Sequence, residues 1–142
     1  MFNPQPKPEK QEKKKKSYTY VRNKTESMPE LLKQATIVFN AWVRKRDNGK
    51  PCISCRKYLP LQAGHYFNAK NYPEVRFHTL NVNGQCEECN CFKGGNFEKY
   101  KEGLIERFGV DSVNILINII DENRCSFKWD REYLKEIIKK YK

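Results

Sequence analysis

The sequence predicts a small α+β domain, and three observations lead there. Short, turn-rich segments fill the middle of the chain between stretches with helical periodicity. Two Cys-x-x-Cys pairs, Cys52/Cys55 and Cys86/Cys89, bracket that middle section. Apolar residues make up only 38% of 142 residues and the mean hydropathy is −0.90, so the core is small and calls for a staple.

The first helix is announced by a capping box, Ser27 with Glu30, followed by Pro29 in the first turn. Leu31, Ala35, Val38, Phe39, Trp42 and Val43 then repeat at helical spacing to about Arg46, and Asp47-Asn48-Gly49 is the stop. From Pro51 to Asn90, alternation predicts short strands at Ala63 to Phe67 and Glu74 to Phe77, joined by Asn71-Tyr72-Pro73. A helix is expected from near Cys86, interrupted at Gly94-Gly95 and restarted by Asn96 as N-cap, with Tyr100, Leu104 and Phe108 on one face and Gly109 as the stop. Two more helices follow, about Asp111 to Asp121 and Asp130 to Tyr141, each opened by an Asp able to cap. The division expected is a basic arm at 1–24, a zinc-braced domain with its N-terminal helix at 25–110, and a helical extension at 111–142.

Cys-x-x-Cys turns present two sulfurs to one ion, and two such turns complete a tetrahedral thiolate shell. Cys52, Cys55, Cys86 and Cys89 are therefore read as ligands of a structural Zn²⁺ with no open coordination position. The 30 residues between the pairs leave room for a folded hairpin. No βαβ pattern supports a redox reading. Cys91 is an alternative to Cys89 as ligand, at a less suitable spacing, and Cys125 reads as an idle or buried thiol.

Lys and Arg number 28 against 17 acids, giving a net charge of +11 and a pI near 9.4. Such an excess favours a polyanionic partner, nucleic acid above all. Residues 1–24, with Lys13-Lys14-Lys15-Lys16 and three prolines, carry about half of it and read as a disordered arm that either attracts phosphate or aids solubility. Neither a signal-like apolar run nor a stretch of membrane-spanning length is found, so a cytoplasmic protein without a membrane partner is expected.

Of two histidines, His65 lies between the Cys pairs, and an imidazole is suited to take a proton from water near neutral pH. The ordered string Pro51-Cys-Ile-Ser-Cys55, Ala63-Gly-His-Tyr66, Arg76-Phe77, Asn81, Gln85-Cys-Glu-Glu-Cys-Asn90 and Gly95-Asn96 resembles the NinG/Rap recombination proteins of lambdoid phages. More distantly it is similar to HNH (ββα-metal) endonucleases, including phage endonuclease VII with its four-cysteine zinc site. The likeness covers about residues 30–110.

The resemblance implies a ββα-metal (HNH-like) core flanked by N- and C-terminal helices, and a DNA endonuclease acting on branched recombination intermediates. It makes His65, ending the first strand, the general base. Asn81 would hold the loop between second strand and helix. Asn90 would offer a side-chain oxygen to a catalytic Mg²⁺ or Mn²⁺. Gly64 stands where many such enzymes carry a metal ligand, which leaves Glu87, Glu88 and His78 as candidates to complete the shell. Arg76 and Lys93 are candidate phosphate contacts. The apolar stripe Val113, Leu116, Ile117 and Ile120 reads as core or as the interface of a homodimer. Two other readings stay open: a less selective HNH endonuclease, and a non-catalytic zinc-dependent DNA-binding or recombination-accessory protein.

Overall fold

The computed structural model describes residues 25–142; the basic arm of residues 1–24 lies outside them. Helix α1 (Met28–Arg46) leads to the strands β1 (Leu61–His65) and β2 (Val82–Cys86), followed by α2 (Phe97–Phe108), α3 (Ser112–Asn123) and α4 (Arg131–Tyr141). The strands form one antiparallel hairpin, with Leu61 opposite Cys86 and His65 opposite Val82. This is a mixed α+β domain built around a two-stranded sheet.

Helix α1 starts where its capping box predicts, with both reciprocal hydrogen bonds of Ser27 and Glu30 formed. Its buried stripe of Leu31, Ala35, Phe39 and Val43 packs on Phe77 and Val82 and on Leu134 and Ile137 of α4. A second cluster joins Ile53, Tyr66 and Val75 to Tyr100 and Leu104 of α2 and Val113, Leu116 and Ile120 of α3. Residues 111–142, read as an extension, thus supply core residues to both clusters. Within the stripe read as core or interface, Val113, Leu116 and Ile120 are buried and Ile117 is exposed.

The second strand is not where alternation put it. Glu74 to Phe77 is no strand; a 3₁₀ turn occupies Pro73–Val75, because Pro73 fixes φ at the turn's first position and cannot donate to a ladder. The true second strand, Val82–Cys86, is buried at all five positions, so its sequence Val-Asn-Gly-Gln-Cys shows no in/out alternation. Asn81 accordingly precedes β2 instead of following it. After Cys86 the chain makes a π-helical turn (Glu88–Phe92) before α2 begins. Asn96 adopts a left-handed conformation and gives α2 no side-chain cap; its amide donates to Cys89 Sγ at 3.4 Å. Asp111 makes no capping bond either, whereas Asp130 caps α4 through the backbone amides of Glu132 and Tyr133.

Asp47, next to the end of α1, is 1% exposed and fastens the helix to the sheet. Its carboxylate accepts from the backbone amide of Gly84 at 2.7 Å and from Arg46 through Nε and Nη2, both at 2.7 Å. Burial raises the carboxyl's pKa, but these donors and the Arg46 and Lys50 charges outweigh it and hold the group below its usual value. Stability from this site is therefore complete above the ordinary carboxylate range and is lost as pH falls through the lowered value. Asp47→Ala leaves Arg46 and Gly84 without their shared acceptor and should cost about 3–5 kcal/mol in urea unfolding; a cost of about 0.5 kcal/mol, typical of exposed pairs, would assign the anchoring elsewhere.

Candidate metal centre and adjoining polar cleft

Cys52 and Cys55 come from the turn after α1, Cys86 from the last residue of β2, and Cys89 from the π-helical turn. Their sulfurs all lie within 4.8 Å of one another. The Cys55–Cys86 separation of 3.7 Å is far longer than a disulfide. It matches the edge of about 3.8 Å expected for a tetrahedron with metal–sulfur bonds of ~2.3 Å. The four cysteines can hold a metal ion such as zinc. Cys91 is exposed and outside the cluster, with Sγ donating to Gln62 Oε1 at 3.5 Å, and Cys125 is also exposed.

The surroundings favour thiolate at one corner first. Burial pushes the Cys86 thiol up to about 12 and raises that of Cys89. Burial acts on Cys52 in the same sense, yet the amides of Cys86, Cys55 and Ser54 bring its thiol down to about 7. A divalent ion held by the four cysteines would supply the charge that lets the other sulfurs lose their protons. Close packing seats the cluster: a Cβ added at Gly103 of α2 would lie 1.9 Å from the Ile53 carbonyl oxygen, so only glycine admits this approach.

His65 ends β1, as the resemblance implies. Its Nε2 lies 3.1 Å from the Arg76 carbonyl oxygen. A carbonyl only accepts, so Nε2 carries the proton, and in the neutral ring Nδ1 keeps its lone pair. Nδ1 has no hydrogen bond among the described residues. Burial, the largest influence, lowers the pKa of His65, with the Arg76 charge adding to it against the opposing carbonyl bond, so the ring is neutral at pH 7.

His65 and Asn90 line one open cleft of about 530 Å³, together with Tyr66, Asn68, Phe97 and the Gly94-Gly95 turn. Asn90 donates through Nδ2 to Gln62 Oε1 at 2.8 Å, leaving its carbonyl oxygen without a partner among the described residues. The other candidates lie elsewhere. Asn81 is fully buried and holds the loop between the two strands: Oδ1 accepts from Phe67 N at 2.8 Å, and Nδ2 donates to the carbonyls of Phe67 and Val75. It does not hold the segment between second strand and helix. Glu87 and Glu88 border a different depression with Leu59, Pro60 and Cys86. His78 Nδ1 accepts from Leu80 N, two residues along the chain. Arg76 donates to Thr36 of α1 at 3.1 Å, and its backbone carbonyl, not its guanidinium, reaches the cleft residues. Lys93 is exposed and 3.6 Å from Glu88.

Gly64 has a packing reason. A Cβ there would lie 2.2 Å from Gln85 Oε1, and the Gln85 amide is itself buried, donating to Ser54 Oγ at 2.8 Å and to the Gly95 carbonyl at 2.6 Å. Sequence reading missed this network because a glutamine carries no signature of burial. It also missed Tyr100, fully buried, whose hydroxyl donates to the Gly64 carbonyl at 2.7 Å and accepts from Asn83 Nδ2 at 3.2 Å.

A small α+β domain with four clustered cysteines that can hold a metal ion, and with a histidine-bearing cleft, is thus the class this chain represents. The family profile described as "Bacteriophage Lambda NinG protein" matches residues 3–142, and the chain belongs to the NinG family. It is similar to "Protein ninG" of Salmonella phage P22 and of Escherichia phage lambda, each 38% identical over 112 residues, covering 78% of this chain and 53% of the relative. The corresponding protein of Escherichia phage 933W is also 38% identical over 112 residues, which are 54% of its length. The chain thus spans about half the length of these curated relatives. No solved structure matches it.

Purified protein should carry one tightly held Zn²⁺ per chain by elemental analysis. Cys52→Ser or Cys86→Ser, or a strong chelator, should unfold the domain cooperatively by circular dichroism. A zinc-free protein with an unchanged melting curve would contradict a structural metal. Gly64→Ala should also destabilise, by about 1–3 kcal/mol, through overpacking against Gln85.

Proposed function

We propose that this chain is a zinc-braced, metal-dependent DNA endonuclease that hydrolyses phosphodiester bonds, with branched recombination intermediates as its substrates. The observation that carries the reading is the meeting of His65 and Asn90 in one cleft, with the His65 ring fixed in the tautomer whose Nδ1 is free to accept a proton. The choice of branched DNA rests on the family resemblance alone.

In this reading His65 Nδ1 removes a proton from the attacking water while Nε2 stays bonded to the Arg76 carbonyl. Attack at phosphorus breaks the bond to the 3′ oxygen, leaving a 5′-phosphate and a 3′-hydroxyl. The Asn90 side-chain oxygen would hold a Mg²⁺ or Mn²⁺ ion, which when bound supplies positive charge at the scissile phosphate. A single amide oxygen is a sparse protein contribution for such an ion, so water and phosphate oxygens would have to supply the rest. The zinc centre takes no part in the chemistry: it ties Cys86 and Cys89 at the end of β2 to the turn that follows α1, and Asn90 is the next residue.

A second reading, a DNA-binding or recombination-accessory protein without catalysis, draws on one observation. Among the described residues, the four cysteines are the one cluster of at least three Cys, His, Asp or Glu side chains suited to a metal. Cleavage assays on linear, flap and four-way DNA separate the two.

His65→Ala should abolish Mg²⁺- or Mn²⁺-dependent cleavage, a loss of at least about a hundredfold, while thermal unfolding and DNA binding stay near wild type. If wild-type protein cuts none of these substrates with either ion, the nuclease reading fails. Because burial lowers the pKa of His65, protonation should switch kcat/KM off only below pH 6.5. An acidic limb centred above 6.5 would point to another base. Deleting residues 1–24, which carry eight of the 28 basic residues, should weaken DNA affinity and reduce its salt dependence; an unchanged salt slope would assign the arm to solubility.

A further inference from the structure

The rim of the cleft carries an aromatic ring whose position the chemistry above leaves unused. Phe97 is the first residue of α2 and is 48% exposed although it borders the same cavity as His65 and Asn90. It is held in place. One face stacks on the buried Tyr66 ring, with centroids 4.3 Å apart and planes inclined by 10°. Phe67 meets it edge-on at 6.5 Å, and Tyr66 in turn packs against Tyr100 at 5.4 Å. A ring stacked on one face and half open to solvent is a platform for a second flat group.

The cleft around it suits a nucleotide. No carboxylate lines it, although the Glu98 charge is felt at Tyr66, and Asn68 and Asn90 offer amide groups. The Gly94-Gly95 wall, with φ of +58° and +92°, has open space where a Cβ would stand, so a sugar–phosphate backbone can approach the main chain closely. The protein's net charge of +11 favours a polyanion over an apolar partner.

We propose that the free face of Phe97 stacks on an unpaired base of the bound DNA, so that the cleft accepts single-stranded or branch-point nucleotides in preference to paired ones. A base inside an intact duplex already has neighbours on both faces and cannot reach the ring without unstacking. The proposal rests on the DNA reading of this cleft and deepens it, since it gives a physical source for a preference for branched over linear duplex DNA. The distance between ring and base is fixed by stacking, which is tolerant of base identity, so no sequence preference follows.

The test uses full-length, zinc-loaded protein without added Mg²⁺ or Mn²⁺, and a DNA flap carrying 2-aminopurine as the unpaired base at the branch. Binding should quench the 2-aminopurine fluorescence. Phe97→Leu, which keeps an apolar side chain on Tyr66, should remove the quench and weaken flap binding about tenfold, with duplex binding unchanged. Phe97→Trp should restore both. A Phe97→Leu protein that quenches and binds the flap like wild type overturns the proposal, even if wild type cleaves DNA with Mg²⁺. Equal weakening for flap and duplex also overturns it, because loss of general affinity is not base stacking. A Phe97-dependent quench supports stacking even in a protein that never cleaves, which would remove the nuclease reading alone.

Discussion

The position of the hairpin depends on one ion pair, the part-buried Arg46 with the fully buried Asp47, where α1 gives way to the turn that carries Cys52 and Cys55. Its two members reach neighbouring residues at the start and middle of β2 and the loop before it. Asp47 accepts from Gly84 in the middle of β2. Arg46 donates to the carbonyls of Thr79 and Val82 and to Asn83 Oδ1, at 3.2, 2.9 and 3.0 Å. Asn83 hands the network to Tyr100, and Tyr100 donates to the carbonyl of Gly64, the residue before His65. A connected path of hydrogen bonds thus runs from α1 through the sheet to α2. Such a path is high-stakes, because each buried donor or acceptor it leaves unpaired costs more than the bond it would have made.

The cysteine cluster and this network both fasten the outer edge of the same short strand, the edge away from β1. Cys86 ends β2, and its amide donates to Cys52 Sγ at 3.3 Å, while the Ile53 amide donates to the Gly84 carbonyl at 3.0 Å. Five residues of β2 are thereby joined to the turn after α1, to α1 itself and to α2. The apolar clusters on either side are modest for a chain this polar, so local fastening of this kind decides whether the hairpin is rigid enough to aim a side chain.

Legibility in the sequence followed the physics of each signal. The Cys-x-x-Cys spacing is dictated by metal geometry, and all four cysteines meet. The Ser27–Glu30 box and the Leu31/Ala35/Phe39/Val43 stripe are local, and α1 forms over the expected residues. Strand β2 was hidden because both of its faces are covered, so polar Asn83 and Gln85 point inward where alternation would put apolar residues. His65 was legible as a residue, but its orientation was not. The group that orients it is a main-chain carbonyl at Arg76, and a carbonyl leaves no trace in residue type. Asn81 likewise holds the loop before β2, a place in the topology that is hidden as long as β2 itself is hidden.

Gly64 shows how packing and chemistry share this site. The residue before the proposed base pairs with Asn83 in the hairpin, but a Cβ on it would meet the side chain of Gln85, which spends its amide donors on Ser54 and on Gly95 at the wall of the cleft. A side chain at 64 would have to displace that amide, so the glycine is required by the buried Gln85 side chain. Any ion in the cleft must then draw its protein ligand from beyond β1, and Asn90 is placed there by the turn that Cys89 anchors. The four-cysteine cluster and the cleft that carries His65 are consequently linked through a single residue step, Cys89 to Asn90.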